Sequence, residues 1–304
     1  MRHQSTYIAC LLTVLLFSAC FVGGGRSARG GGEPTITVSI EPLRYLTSAI
    51  AGDKFRVVSL VPSGVSPETY DPTPSQLVTL SESRACFLVG GLGFERTYRS
   101  RLTDSAPHLL FFNTSRGINP IMEAHSHHHH DSEQEAAEEM RPGMEPHVWT
   151  SPANVSIMAR NIAEALITID HDNEAYYVKR YEELCQAVAQ TDSTLRKLLS
   201  SPEVGRTFLI YHPALTYFAR DYGLCQIAIE AEGKEPSPSR LVELTEEARR
   251  EGVRVVFVQA EFDTRNAELI AEQIGAEVVT INPLSYNWAE ELVHIAECLS
   301  PGDK

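Results

Sequence analysis

The stretch "NEAYYVKRYEELCQAVAQTDSTLRKLL", Asn173 to Leu199, decides the architecture. Val178, Tyr181, Cys185, Val188, Leu195 and Leu199 recur along it at helical spacing, with Asp192 interrupting the apolar face. A helix of about 27 residues is about 40 Å long, as long as a whole domain. A second helix precedes it, beginning at "SPANV" with Ser151 as N-cap and Pro152 at the first helical position. Its stripe is Val155, Met158, Ile162, Leu166 and Ile169.

Working outward, the same alternation appears on both sides. Upstream, "TITVSI" (Thr35 to Ile40), "FRVVSLV" (Phe55 to Val61), "ACFLVG" (Ala85 to Gly90) and "LLFFN" (Leu109 to Asn113) read as strands. Helical segments lie between them, one carrying Leu43, Leu46 and Ile50 and another beginning at "TPSQLVTL" (Thr73 to Leu80). Downstream, "TFLIY" (Thr207 to Tyr211), "CQIAI" (Cys225 to Ile229), "VRVVFV" (Val253 to Val258) and "EVVTI" (Glu277 to Ile281) repeat the pattern. Between these lies "SRLVELTEEARREG", with Leu241, Leu244 and Ala248 on one face and Gly252 past its end. Alternating strands and helices imply parallel sheets covered on both faces. The expected fold is α/β: two four-stranded parallel lobes joined by one long connecting helix.

The N-terminus reads as an export signal. Arg2 and His3 precede the apolar run "YIACLLTVLLF", too short to cross a membrane comfortably, and small residues follow. "FSAC" ending in Cys20 resembles the bacterial lipoprotein processing site, which implies cleavage before Cys20 and lipid on its sulfur. "FVGGGRSARGGGEP" reads as a flexible tether. The domain reading is therefore signal peptide 1–19, tether 20–34, N-terminal lobe 35–172 with a His-rich loop at 123–146, connecting helix 173–200 and C-terminal lobe 201–304. Four cysteines remain, Cys86, Cys185, Cys225 and Cys298, none in a C-x-x-C pair, so a thiolate zinc site is not expected. Cys86 and Cys225 read as core residues, and in an exported protein Cys225 with Cys298 is the favoured disulfide.

A formal net charge of -14 speaks against nucleic acid, whose phosphates need a basic surface. In open α/β sheets ligands bind beyond the carboxyl ends of the strands. The residues there are Glu68 after the second strand, His147 in "EPHVW" at the close of the long loop, His212 directly after the fifth strand, Glu261 in "QAEFD" and Asn282 in "NPLSYNW". Both lobes thus present oxygen or imidazole donors on the same edge. His108, His171 and His294 lie elsewhere and read as structural or surface groups. "GGLGFE" (Gly90 to Glu95) lacks the spacing and the lysine of a phosphate loop and reads as a strand-to-helix turn.

"GVSPETYDPTPSQL", "PHVWTSPAN", "YHPALTYFARDYGL" and "INPLSYNW" resemble the zinc/manganese-binding solute receptors of bacterial ABC importers, the ZnuA/TroA-like group. The resemblance covers nearly the whole chain from about Thr35. It implies metal held between two α/β lobes that a long helix keeps from hinging widely. By resemblance His147 and His212 are metal ligands. Members commonly place His where Glu68 stands and Asp where Asn282 stands, so the implied set is Glu68, His147, His212 and Asn282. Glu68 brings one negative charge into the site and Asn282 removes one. An amide oxygen is a weak zinc donor, so the Asn282 place is weak or taken by water, and Glu261 is a further candidate. Two imidazoles and a carboxylate suit Zn²⁺ at about 2.0–2.2 Å. They also suit Mn²⁺ or Fe²⁺, with raw affinity favouring zinc over manganese.

The run "EAHSHHHHD" falls in the loop before His147 and places five of the chain's 11 histidines within six residues. Its surroundings are polar and acidic with no apolar stripe, and a cloning tag would stand at a terminus. Family members of the zinc type carry such inserts here. His125, His127, His128, His129 and His130 are therefore expected to bind zinc weakly and reversibly, with capture fading as pH falls through about 6.5, where imidazole protonates. The expected protein is a monomeric, lipid-anchored zinc receptor in the periplasm or at the cell surface, without enzymatic activity, that delivers Zn²⁺ to an ABC importer permease. The rival readings are a manganese or iron receptor of the same fold, a surface adhesin or metallochaperone, and a zinc hydrolase using a His₂Glu set. No H-E-x-x-H is present to favour the last.

Overall fold

A computed structural model describes residues 33–122, 143–230 and 233–300. The lipidation candidate Cys20 and the secondary metal candidates His125, His127, His128, His129 and His130 lie outside the described residues. In the first half, β1 (Thr35–Val38), α1 (Glu41–Ala51), β2 (Arg56–Ser59), α2 (Pro74–Ser81), β3 (Ala85–Leu88), α3 (Gly93–Ser105) and β4 (Leu110–Asn113) follow in order. Then come α4 (Pro152–Ile169) and α5 (Glu174–Leu199). The second half comprises β5 (Thr207–Ile210), α6 (Thr216–Tyr222), β6 (Cys225–Ala228), α7 (Pro238–Arg250), β7 (Val255–Gln259), α8 (Arg265–Ile274), β8 (Glu277–Ile281) and α9 (Trp288–Leu299).

The two sheets share one topology, β2-β1-β3-β4 and β6-β5-β7-β8, and every strand pair is parallel. The strand order reverses between β1 and β3 and again between β5 and β7. These are the points where an open α/β sheet leaves a crevice at its carboxyl edge. In the first sheet Glu95 fills that crevice: its buried carboxylate accepts from Val89 N (2.9 Å), Gly90 N (2.6 Å) and the Ser39 hydroxyl. "GGLGFE" is thus the strand-to-helix turn its sequence suggests. In the second sheet the buried side chain of Gln259, at the end of β7, reaches the backbone of His212 just past β5.

Local signals account for the helices. Ser151 caps α4 by accepting from Asn154 N at 3.1 Å, with Pro152 behind it. All five residues of the α4 stripe are buried. Thr73 and Gln76 form a reciprocal capping box on α2. The long helix α5 packs on α1 through Arg180 Nε donating to Ala49 O (2.8 Å) and on α9 through Ser300 Oγ donating to Leu198 O (3.1 Å). One apolar core runs through Ile36, Leu46, Ile162, Leu195, Phe208, Phe257 and Leu292, so both sheets and the connector share it. Among the described residues no helix is long and apolar enough to cross a membrane.

Two readings need correction. The buried face of α5 is Tyr177, Leu184, Val188, Thr191, Leu195 and Leu199, while Val178 is 39% exposed. Tyr177 wins the inward position because its hydroxyl reaches Asp170 Oδ2 at 2.5 Å and its ring joins the core. Asp192, the interruption, is used: it accepts from Tyr222 OH (2.7 Å) and Arg196 Nε (2.8 Å). The expected Cys225–Cys298 disulfide is absent; all four described cysteines are free, and Cys225 is exposed rather than core. Cys225 opens β6 at one edge of the second sheet, whereas α9, with Cys298, follows β8 at the other. Cys86 is fully buried, as expected.

Candidate metal centre

His147 is carried by a loop that the second half of the chain grips. Tyr217 OH accepts from Ile121 N and donates to Glu145 O, both at 3.1 Å. Trp149 Nε1 donates to Pro283 O at 2.8 Å, and Trp288 Nε1 donates back to Trp149 O at 2.6 Å. Both indoles are buried. The 3₁₀ turn Val148–Thr150 then passes the chain to the α4 cap, whose Ser151 hydroxyl donates to Asp221. His147 is consequently 5% exposed in a loop with little freedom.

His212 leaves β5 directly. Its N–H donates to Gln259 Oε1 (3.3 Å) and its carbonyl accepts from Gln259 Nε2 (2.8 Å), which ties it to the end of β7. Its ring stacks on Phe262 at 5.3 Å between centroids. The two imidazoles face each other across the crevice with Nε2 atoms 3.2 Å apart and ring centroids 5.0 Å apart.

A carboxylate stands behind each ring. His147 Nδ1 hydrogen-bonds Glu145 Oε1, which also accepts from His147 N at 3.0 Å. His212 Nδ1 meets Glu230 Oε1 at 2.7 Å. Glu145 and Glu230 are both buried. Burial alone would push the Glu145 carboxyl up, but the His147 ring and the bonds from His147 and Thr216 hold it below its usual value. An ionised carboxylate only accepts, so each partner puts a proton on Nδ1, and a neutral ring then keeps its lone pair on Nε2. Two lone pairs then oppose each other. Two metal–nitrogen bonds of about 2.0–2.1 Å closing a 3.2 Å gap meet at roughly 100°, near a tetrahedral angle.

The space beside the rings is about 10 Å³, room for an ion or a water and not for an organic ligand. Ser66, Pro67, Gln259 and Glu261 help to line it. Glu68 is one residue beyond that wall. Phe94 N donates to Pro67 O at 3.1 Å, and a Cβ at position 93 would lie 2.5 Å from Glu68 O and 2.6 Å from Glu68 Oε2. Gly93 is therefore what lets the Glu68 loop lie on the start of α3. Glu68 Oε1 is buried with no hydrogen-bond partner, a costly state for a carboxylate oxygen. Asn282 is engaged in a turn: its side-chain oxygen accepts from Leu284 N (3.1 Å) and its N–H donates to Glu291 Oε1 (2.7 Å). The structure thus brings His147, His212 and Glu261 around one space, holds Glu68 close by and commits the Asn282 amide to a turn. Among the described residues no three His, Cys, Asp or Glu side chains are already arranged to hold an ion.

Glu145 and Glu230 escaped the sequence reading. The signal for Glu145 was its place two residues before His147. The signal for Glu230 was its place just past β6, beside β5, where Glu230 N donates to Tyr211 O at 3.1 Å.

The chain has counterparts among known proteins. The family model ZnuA, "Zinc-uptake complex component A periplasmic", matches residues 36–294. The high-affinity zinc uptake system protein ZnuA of Bacillus subtilis is 29% identical over 89% of this chain and 85% of its own length. The manganese ABC transporter substrate-binding lipoprotein PsaA of Streptococcus mitis is 26% identical, covering 91% of this chain and 88% of its own. A crystal structure of ZnuA superimposes with a TM-score of 0.79 at 34% identity, covering 88% of this chain and 97% of that one. A zinc-bound ZnuA deletion mutant gives 0.78 at 34%, covering 89% and 99%. With its two like sheets, its helical connector and a family match over most of its length, the chain belongs to the ZnuA family of zinc-uptake component A proteins.

Proposed function

We propose that this protein is an extracytoplasmic receptor that captures one Zn²⁺ between its halves and delivers it to an ABC-type importer. The observation that carries this reading is the opposed pair of Nε2 atoms, 3.2 Å apart and each backed by a buried carboxylate. In this proposal His147 and His212 supply two nitrogens. Glu68 supplies a carboxylate by turning its partnerless oxygen toward the ion. Glu261 or water takes the fourth place, and Asn282 shapes the turn beside it. A space of about 10 Å³ suits ion capture better than an ester or peptide substrate, which supports a receptor over a hydrolase. The lipid anchor at Cys20, the weak zinc capture by His125, His127, His128, His129 and His130, and a partner permease belong to the proposal on sequence and family grounds.

Manganese is the second reading, supported by the carboxylates of Glu68 and Glu261 and by relatives named for manganese. Imidazole pairs rank zinc above manganese. Untagged protein lacking residues 1–20, stripped with chelator and offered equal zinc and manganese, is expected to retain one zinc per chain by elemental analysis. Preferential retention of manganese overturns the zinc assignment, and retention of neither overturns the receptor. Zinc at 1,000 times its dissociation constant is also expected to stabilise the fold by about 4 kcal/mol, visible as a higher Tm.

Glu68→Ala is expected to weaken zinc binding by about 10- to 100-fold, as a lost ligand or close supporter does. Gly93→Ala is expected to weaken it by a similar factor although residue 93 does not touch the ion, because the new methyl must displace Glu68. Competition against a chromophoric chelator measures both. If Gly93→Ala binds zinc as the parent does, the Glu68 loop has no part in the site.

A further inference from the structure

The carboxylate behind His147 is held by the other half of the molecule. Glu145 precedes α4 and belongs to the first half, yet its Oε2 accepts from Thr216 Oγ1 at 3.1 Å, and Thr216 opens α6 in the second half. Thr216 is positioned in turn: its hydroxyl oxygen accepts from Gln226 Nε2 at 3.0 Å, and Gln226 Oε1 accepts from Leu215 N at 2.8 Å. Gln226 lies on β6, the strand that leads to Glu230. One hydrogen-bonded chain therefore runs from His147 through Glu145, Thr216 and Gln226 into β6. The carboxylate behind His212 stands just past the end of that strand. By contrast Glu230 and His212 both belong to the second half, so that pair stays together whatever the halves do.

Resting on the receptor reading above, we propose that Glu145 and Glu230 are positioning residues that hold both rings as Nδ1–H tautomers, and that Thr216 of the other half steadies Glu145 in that role. The two imidazoles are then unequal. His212 keeps its orientation within its own half and stays a ready ligand. His147 is oriented by a carboxylate whose second oxygen is secured across the seam. Parting the seam removes one of the bonds that hold Glu145 behind His147 and loosens that ring, so the ligand from the first half weakens before the one from the second. Release is thereby coupled to separation of the halves, as a delivery step to a membrane partner requires, without any change in the ligands themselves.

The test uses full-length mature protein labelled with ¹⁵N-histidine. Two-bond ¹H–¹⁵N spectra of the metal-free form read the tautomer of each ring, and chelator competition reads zinc affinity. The wild-type protein is expected to show Nδ1–H at both His147 and His212. Glu145→Ala is expected to abolish the fixed tautomer at His147 only and to raise the zinc dissociation constant about 10- to 100-fold, and Glu230→Ala to do the same at His212. Glu145→Gln keeps an acceptor for Nδ1–H and a donor for Thr216, and is expected to recover most of that loss. Thr216→Val removes the clamp and is expected to weaken zinc about 3- to 10-fold, while Thr216→Ser behaves as wild type. Because Thr216 acts through Glu145, the double variant Glu145→Ala/Thr216→Val is expected to be no weaker than Glu145→Ala. An unchanged His147 tautomer and affinity in Glu145→Ala overturns the inference, as do strictly additive losses in the double variant. If Glu145→Ala does not fold, Thr216→Val against Thr216→Ser decides the clamp by the same readouts. Wild-type rings found as Nδ1–H with zinc failing to bind would retire the receptor reading and leave the orientation by Glu145 and Glu230 standing.

Discussion

Replacing His212 by alanine is expected to raise the zinc dissociation constant by about two orders of magnitude or more. A four-ligand zinc site gains about 10–16 kcal/mol on binding, so an equal share for one imidazole is about 2.5–4 kcal/mol, each 1.4 kcal/mol being tenfold. The loss is larger than for Glu68→Ala because His212 is the ligand whose position least depends on the rest. It is tied to Gln259 at both its N–H and its carbonyl, stacked on Phe262 and backed by Glu230. The metal-free protein is expected to lose stability as well. Alanine leaves the buried Glu230 carboxylate without its imidazole partner, and an abandoned buried acceptor costs about 1–3 kcal/mol. Chelator competition measures the first effect and urea denaturation of the apo protein the second. A change in zinc affinity below about threefold would remove His212 from the site. The stability change alone would then mark the His212–Glu230 pair as structural.

The second large effect is expected at the seam. Trp149→Ala removes a 1%-exposed indole from the core shared by both halves, and large-to-small changes of this kind cost about 3–5 kcal/mol. At roughly 2–4 °C per kcal/mol for a chain of this size, the apo Tm is expected to fall by about 6–20 °C. The indole also donates to Pro283 O across the seam, and its ring lies 5.2 Å from His147, so zinc affinity is expected to fall with stability. Trp288→Phe separates the two contributions. It retains most of the ring area but abandons Trp149 O, a buried carbonyl, and is expected to cost about 1–3 kcal/mol. Calorimetry of the two variants side by side is the measurement. A loss under about 1 kcal/mol in Trp149→Ala would mean that the halves are held by the connector α5 and not by the tryptophan seam.

A shared core also bears on how far the halves move. Phe208 and Phe257 of the second sheet and Ile36 and Phe87 of the first belong to one apolar cluster, together with Leu195 and Leu199 of α5. A wide hinge would tear that cluster open. Movement that leaves it intact is confined to the carboxyl-edge loops, where Thr216 meets Glu145. Modest separation there is enough to disturb His147.

The sequence by itself determined the eight strands, the connector and the helix before it, and their order, because the signals for them are local. Apolar spacing marked β8 as Glu277–Ile281, Ser151 and Pro152 marked the start of α4, and the stretch around Val188 and Leu195 marked the connector. It also pointed to His147 and His212, since each stands just beyond a strand or loop at the carboxyl edge. Only the tertiary structure decided which face of α5 turns inward, because Tyr177 and Val178 are equally apolar in a spacing argument and differ only in meeting Asp170. It alone exposed Cys225, whose run is apolar but whose strand is an edge. It alone turned the Asn282 amide toward Leu284 and set Glu145 and Glu230 behind the imidazoles. Periodicity and caps act over a few residues of chain, whereas the aim of a side chain is set by residues distant in sequence. Thr216 lies 71 positions beyond the Glu145 it clamps.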